Sequence, residues 1–241
     1  MLHFACLILT TLTLSLSAQA YTVLVDAGHG GRDSGASLNG VIEANITLTL
    51  AKKIEQRFKS HPTIHVVLSR SADRSLSLEE RTELSQTKQV DLFLSIHANA
   101  SIDPRAKGVE LYIQNQLSQD EQTFFLAHSE SQTRSQKSAS IKKSELETIV
   151  EDLGRQYRQH ESAELAKSLY SHWRGFKKSR KKYALRQAPF YVISNNSVPS
   201  VLLEVGYLSH PKEGQKLQDP VYQNLIADSV YEGLLQYTKS L

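Results

Sequence analysis

The sequence has a single cysteine among its 241 residues, Cys6, and it lies in an N-terminal segment that has no charged side chain. This segment, residues 1–20, has an apolar stretch from Leu7 to Leu16 and ends in Ala-Gln-Ala. These features are typical of a secretory signal peptide, because the apolar stretch is too short and too often interrupted by Ser and Thr to be a good membrane span. We therefore predict an exported protein, with an uncleaved membrane anchor as the alternative.

Removal of the signal peptide would leave a mature chain, residues 21–241, that contains no cysteine. A chain of this kind has no disulfide framework and no thiolate chemistry. No other stretch is long and apolar enough to cross a bilayer.

A strong excess of charge of one sign is also missing. The formal net charge is +3, and the composition is 40% hydrophobic and 22% charged, as in ordinary globular proteins. Charge alone therefore does not make the molecule a nucleic-acid binder, and we expect no nucleic-acid partner for an exported chain. The length suits one domain with some extension.

Strand and helix patterns alternate along the chain. Apolar runs predict five strands: "YTVLVDAG", "HVVLSR", "VDLFLSIHANA", "GVELYIQ" and "PSVLLEVGYLSH". Periodicity and capping signals predict helices over "EANITLTLAKKIEQRF", after the capping box Ser77-x-x-Glu80, from Ala163 to Trp173, and after Asp219-Pro220. This alternation predicts an α/β fold: a single domain with a largely parallel twisted sheet and helices on both faces.

Three of the predicted strands end in ionisable residues. His29 follows the first strand, His97 ends the third and Glu204 lies at the end of the fifth. Functional sites of open α/β sheets gather at the carboxyl ends of the strands. Glu43 opens the first helix and joins the same edge if the loop from Gly30 to Val41 folds back.

Two histidines and one glutamate, with one position left for water, form the ligand set of a catalytic zinc site. A second carboxylate could then take a proton from the water and pass it to a leaving nitrogen, which is amide hydrolysis. Because the mature chain lacks cysteine and is exported, zinc is favoured over iron or copper.

Each residue also has a structural interpretation. A histidine at a strand end is often only hydrogen-bonded, and Glu43 places a favourable charge at a helix N-terminus. The "GHGG" loop is neither a G-x-G-x-x-G dinucleotide fingerprint nor a P-loop. Glu204 is harder to explain structurally, since a carboxylate buried in an apolar strand needs a partner or a function.

Four segments of the sequence, in order, resemble the zinc-dependent N-acetylmuramoyl-L-alanine amidases of bacterial cell walls. They are "VDAGHGGRDSGA", "GVIEANITLTLAKKI", "VDLFLSIHANA" and "VPSVLLEVGYLSH", and the resemblance extends from Val23 to Tyr237. It implies one zinc ion held by His29, Glu43 and His97, with Glu204 as the catalytic carboxylate. It also implies a peptidoglycan substrate, cleaved between the lactyl group of N-acetylmuramic acid and L-alanine, and we expect a monomer.

The sequence departs from the family pattern at two positions. Ala27 stands where proline is usual, and His210 stands where asparagine is usual. We expect neither to bind the metal; His210 is interpreted as a surface-loop residue or as a residue that supports the site from behind.

A polar insert at about residues 117–153 resembles that of the Gram-negative division amidases. In those relatives a helix of the insert covers the zinc until an activator protein withdraws it, and this similarity favours a periplasmic location. The carboxylates available for such a plug are Glu121, Glu130, Glu145, Glu147 and Glu151. A solvated helical hairpin without inhibitory contact is the alternative.

A basic run precedes the fifth strand: Arg174, Lys177, Lys178, Arg180, Lys181, Lys182 and Arg186. It could attract anionic wall polymers weakly, or it could simply be a solvated helix end and loop. Two rival functions also remain open, namely a zinc peptidase acting on another cell-wall amide and a non-catalytic wall-binding protein.

Overall fold

The computed structural model describes residues 20–38, 40–115, 145–174 and 185–240. Almost all of the predicted signal peptide, much of the predicted insert and the centre of the basic run lie outside these residues. The plug candidates Glu121 and Glu130 are among the residues that are not described.

A six-stranded mixed sheet forms the centre of the fold, in the order β4-β1-β5-β8-β6-β7. Its strands are β1 (Tyr21–Ala27), β4 (Ile64–Leu68), β5 (Leu92–Asn99), β6 (Glu110–Gln114), β7 (Leu185–Ala188) and β8 (Ser200–Tyr207). All neighbouring pairs are parallel except β6 and β8, which are antiparallel. The carboxyl ends of β1, β5 and β8 therefore meet at one edge of the sheet, where we expected the site.

Helices cover both faces of this sheet, as the fold prediction stated. The helices are α1 (Glu43–Phe58), α2 (Leu78–Thr87), α3 (Glu145–Ser171), α4 (Tyr191–Ser194), α5 (Pro211–Leu217) and α6 (Pro220–Lys239). The larger core lies under α1, α3 and α6, and a smaller core lies under α2 and α4 on the opposite face. Hydrophobic burial on both faces explains why the central strands β5 and β8 are buried throughout.

Two predicted helix starts are confirmed at atomic detail. Ser77 and Glu80 form the reciprocal capping box of α2. Asp219 accepts a hydrogen bond from the Val221 amide, and Pro220 occupies the first turn of α6. Both helix starts could be predicted because they depend on neighbouring residues only. In each case a side chain accepts a hydrogen bond from a backbone amide that the helix itself leaves unpaired.

The third predicted helix is wrong at its start, since α3 begins at Glu145 rather than near Ala163. The added turns expose apolar and polar side chains alike and bury none completely before Ser162. Apolar residues do recur at helical spacing in these turns, at Leu146, Ile149, Val150 and Leu153, but the stretch is predominantly polar and was therefore interpreted as an insert, although it is free of proline and rich in good helix formers. The strand β7, the helices α4 and α5, and the two-residue hairpin strands β2 (Ser37–Leu38) and β3 (Val41–Ile42) were also missed, because short elements carry little periodic signal.

Within the residues that the structure describes, no helix combines the length and the apolar character that a bilayer span requires.

Two helical glycines test the tight packing between α3 and α6. A Cβ at Gly233 would lie 2.8 Å from the Cα of Leu169, whereas one at Gly154 would meet only the end of the Arg158 side chain, at 3.2 Å. We expect Gly233→Ala to destabilise the fold by about 1–3 kcal/mol through overpacking. Gly154→Ala should be neutral or stabilise by up to about 1 kcal/mol, because alanine has the higher helix propensity. Urea unfolding measures both, and equal effects would contradict the close contact of the two helices.

Candidate active site

The glycine-rich loop after β1 places His29 at the edge of the sheet. His29 has a φ of +58°, a left-handed conformation that is rare for residues other than glycine, and Gly30 and Gly31 also have positive φ. Gly28 is required for space, since a Cβ there would lie 2.5 Å from Cε1 and Nε2 of the His97 ring. The "GHGG" sequence thus turns the chain sharply and lets two histidines approach each other, with ring centroids 4.9 Å apart.

Two buried arginines fix this loop through its carbonyl groups. Arg70 is 1% exposed, and its guanidinium donates to the carbonyl oxygens of Ala27 at 2.9 Å, Gly28 at 2.8 Å and Ala44 at 2.8 Å. Arg81 donates to the His29 carbonyl at 2.8 Å and forms an ion pair with the buried carboxylate of Asp26. Arg70 therefore links the loop that carries His29 to the first turn of the helix that carries Glu43.

The Asp26 carboxylate is ionised in this setting. Burial opposes its charge, but Arg81 together with the Ser69 and Ser95 hydroxyls outweighs burial, and the pKa of Asp26 lies below its usual value. A negative charge thus stays beside Arg81, so the arginine is compensated and can hold the loop.

The Glu43 carboxylate lies between the two histidines. Its Oε2 is 3.2 Å from Nε2 of His29, and its Oε1 is 3.1 Å from Nδ1 of His97. The Ala36 amide donates to Oε2 at 3.0 Å and the Ala98 amide to Oε1 at 2.9 Å. The loop after Gly30 does fold back, through the small β2–β3 hairpin, and so meets the condition on which the prediction of Glu43 depended.

These contacts favour the ionised form of Glu43. Burial alone would raise its pKa, but the hydrogen bonds and charges of His29 and His97 exceed that effect, and the pKa lies far below its usual range. Nδ1 of His29 donates a hydrogen bond of 2.8 Å to the Asp33 carboxylate. This bond is the main reason why the pKa of Asp33 lies below its usual value. With Nδ1 bonded to Asp33, Nε2 of His29 faces Glu43.

His29, Glu43 and His97 form a possible metal site. All three are buried, and one ligand atom from each lies within 4.8 Å of the others. The surrounding backbone is shaped to fit them: a Cβ at Gly35, whose φ is +62°, would lie 2.6 Å from both Oε2 of Glu43 and Cδ2 of His29. Two imidazole nitrogens and a carboxylate oxygen are a donor set suited to zinc, so the residues present fit the expected ion.

Glu204 lies next to this group on β8. It pairs in register with His97 of the parallel neighbour β5 and is 2% exposed. In-register neighbours present their side chains on the same face of a sheet, so Glu204 stands beside the histidine. The structure therefore brings all four residues singled out in the sequence to one edge.

A second glutamate at this edge of the sheet, Glu110, was not predicted from the sequence. It lies opposite Glu204 in the antiparallel pair of β6 and β8, and it is 8% exposed. The signal that could have found it is a charged residue inside the buried strand "GVELYIQ", the same signal that identified Glu204.

A cleft of about 420 Å³ opens beside His29 and His97. Leu78 of α2, Val192 of α4 and Phe190, the residue before α4, form an apolar wall of the cleft, and Arg32 and Asp33 also line it. The site thus has an opening wide enough for part of a substrate, with polar groups near the histidines and a hydrophobic wall beyond them.

The remaining candidates have other surroundings. His210 is the N-cap of α5 and accepts a hydrogen bond from the Glu213 amide at 3.2 Å, a role that neither interpretation of this residue included. The Ala27 amide donates to Oγ of Ser69 at 3.2 Å, a bond that the family's usual proline could not make. Glu147 and Glu151 are exposed on α3, and neither lines the cleft.

The two ends of the basic run are described, and they differ. Arg174 lies after α3, 3.8 Å from Glu232 in a largely exposed pair. Arg186 lies on β7 and forms an ion pair of 2.9 Å with Glu110. The run is therefore not uniform, because its last member contacts the buried edge of the sheet.

We predict that Arg70→Met destabilises the protein strongly. Methionine fills similar space but leaves several buried carbonyls without donors, which costs about 3 kcal/mol or more. Arg74→Met is the matched control, since Arg74 is exposed and its side chain donates to Ser69 alone among the bonds described; its effect should stay below about 1 kcal/mol. Urea unfolding distinguishes the two, and a small loss at Arg70 would contradict the role assigned to it.

Three kinds of comparison with known proteins agree on one family. Residues 23–236 match the family model described as N-acetylmuramoyl-L-alanine amidase. The chain is 31% identical to the amidase LytC of Bacillus subtilis over 90% of its own length and 35% of LytC, and 30% identical to the amidase AmiA of Escherichia coli over 89% of its length and 75% of AmiA. The crystal structure of an N-acetylmuramoyl-L-alanine amidase from Clostridium difficile 630 superposes with a TM-score of 0.69 and 27% identity, covering 92% of this chain and 98% of that one.

Proposed function

This chain belongs to the N-acetylmuramoyl-L-alanine amidases, which hydrolyse peptidoglycan, and we propose that it does so with one zinc ion held by His29, Glu43 and His97. The observation that carries the proposal is the convergence of these three buried side chains beside a fourth, Glu204. The reaction is that of the family, and the geometry supports the assignment of these residues to it.

The donor set and its surroundings support zinc. Nitrogen and carboxylate ligands without thiolate suit this ion, and three protein ligands leave a position for water or substrate. When bound, zinc would supply Lewis-acid activation of a water molecule and of the substrate carbonyl. The hydrogen bond that Nδ1 of His29 donates to the Asp33 carboxylate would fix the His29 ring with Nε2 towards the ligand position, as supporting residues do in metal sites.

Glu204 would move the proton in this reaction. Its carboxylate accepts a proton from the attacking water, and the water oxygen forms a bond to the lactyl carbonyl carbon. The bond between that carbon and the L-alanine nitrogen then breaks, and Glu204 returns the proton to the leaving nitrogen. The products are a lactyl carboxylic acid on the glycan and a stem peptide with a free L-alanine amine.

The cleft would hold the part of the substrate next to the scissile amide. Its apolar wall of Leu78, Phe190 and Val192 suits small methyl groups, such as those of the lactyl and alanyl units. Arg32, an exposed residue that also lines the cleft, would remain available to anionic groups of the wall polymer.

We predict that Glu43→Gln and Glu204→Gln have different effects. Glu43→Gln should abolish stoichiometric zinc binding, because a charged ligand becomes a neutral amide. Glu204→Gln should retain zinc but lower kcat by about 10²–10⁴-fold, the usual contribution of a general acid–base group. Glu55→Gln, at an exposed position of the same helix as Glu43, is the control and should change neither.

Zinc content is measured by metal analysis, and kcat by release of stem peptides from purified peptidoglycan. If Glu204→Gln lost both its zinc and its activity, the separate roles of the two glutamates would be contradicted.

The rival functions are separated by the mass of the released products, with and without a chelator. Peptides beginning at L-alanine, lost with chelator and restored by zinc, are the expected result. Cleavage at another amide would identify a zinc peptidase. Zinc binding without any cleavage, both by the full chain and by a chain lacking residues 116–144, would identify a wall-binding protein.

We also propose that residues 1–20 direct export to the periplasm and are removed. Their composition supports this, as described above. N-terminal sequencing of protein recovered from the periplasm should begin at Tyr21, and recovery of the full chain in the cytoplasm would contradict it.

Control by an activator protein is a further part of the proposal. The first half of α3 exposes an apolar set on one face of the helix: Leu146, Ile149, Val150, Leu153 and Tyr157, each more than half exposed. This face follows residues 116–144 in the sequence, and it would bind the activator. If the insert blocks the site, a chain lacking residues 116–144 should release stem peptide faster than the full chain at equal zinc, and equal rates would contradict the block.

A further inference from the structure

Two buried carboxylates face each other at the edge of the sheet. Glu110 of β6 lies directly opposite Glu204 of β8. Side chains at such positions have Cβ atoms about 4.5–5.5 Å apart and share one face of the sheet. Two ionised carboxylates this close, and this well buried, repel each other strongly, so the structure must compensate one of them.

The carboxylate of Glu110 is compensated by one cation and two neutral hydrogen-bond donors. Nη2 of Arg186 lies 2.9 Å from its Oε1, the Tyr112 hydroxyl donates to its Oε2 at 2.7 Å, and Asn99 donates to the same oxygen at 3.3 Å. Burial and the charge of Glu110 raise the pKa of Tyr112, which keeps this hydroxyl protonated as a donor. The same two causes raise the pKa of Tyr207.

This set of donors commits most of the acceptor sites of Glu110, since a carboxylate has about four. Glu110 is therefore held in place and is not suited to move protons in the reaction. Its negative charge is balanced by Arg186, which reaches it from the next strand, because Arg186 pairs in register with Tyr112.

We propose that the Glu110–Arg186 ion pair is a positioning device for Glu204. Arg186 draws the Glu110 carboxylate towards β7 and cancels its charge, so that Glu204 is not pushed away from the scissile amide. Both residues act through Glu204 and touch neither substrate nor metal. The inference rests on the proposed role of Glu204 as the carboxylate that transfers the proton.

A double-mutant cycle tests the pair. Arg186→Gln removes the cation that balances Glu110 opposite Glu204, and Glu110→Gln removes the anion that balances Arg186, so that the guanidinium attracts Glu204 instead. Each single variant should lower kcat about tenfold or more, while KM and zinc content stay near the wild-type values. The double variant, which carries neither charge, should recover most of the lost kcat, and Arg186→Lys should retain more activity than Arg186→Gln.

Arg57→Gln is the matched control. Arg57 forms an ion pair of 2.7 Å with Asp228, and it lies at the far end of α1 from Glu43. It should leave kcat unchanged. Circular dichroism at the assay temperature verifies that every variant is folded.

The proposal would be overturned if the fold-loss of kcat in the double variant equalled the product of the fold-losses in the two single variants. A fall in kcat that only follows the folded fraction would also overturn it, because the pair would then be structural. If neither the wild type nor the chain lacking residues 116–144 released stem peptide with zinc bound, the proposed function would fail, and this outcome is distinct from an active enzyme with an additive cycle.

Discussion

The site depends on one constraint: the Glu43 carboxylate must reach from the start of α1 to the histidines that follow two different strands. It contacts His29 and His97 and accepts the amides of Ala36 and Ala98. A helix terminus, a folded-back loop and the sheet edge are thereby joined at a single group. Burial by itself would favour the neutral form of this carboxylate. The two histidines keep it ionised, and its position in turn holds them together.

Charge compensation recurs along the same edge. Asp26 is balanced by Arg81, and Glu110 by Arg186, while Arg70 binds only carbonyls and the Thr47 hydroxyl among its described partners. A buried charge that loses its partner costs far more than the pair contributes. These pairs therefore restrict the edge to one arrangement, and a zinc ligand set benefits from such restriction because its geometry must be held closely.

Parts of this arrangement could be predicted from the sequence because they follow from topology. His29, His97 and Glu204 each end an apolar strand, and parallel strands bring their carboxyl ends together. Glu43 could be predicted only conditionally, since its position depends on a loop that carries no periodic signal. The family resemblance then assigned roles that spacing alone had left open.

Other parts could not be predicted because they depend on long-range partners. Arg70 and Arg81 look like surface residues in the sequence, since only the folded loop supplies the carbonyls and the Asp26 carboxylate that bury them. Arg186 looked like the end of a basic run until β7 paired it with β6 and Glu110. The early turns of α3 carry apolar residues at helical spacing, but their predominantly polar composition led to their interpretation as part of an insert.

The most direct measurement is anomalous diffraction at the zinc edge from crystals of the protein grown with zinc. We expect one strong peak per chain, bounded by Nε2 of His29, a ring nitrogen of His97 and the Glu43 carboxylate, with Glu204 alongside. A peak elsewhere, with these three side chains still bonded to one another at full zinc occupancy, would contradict it.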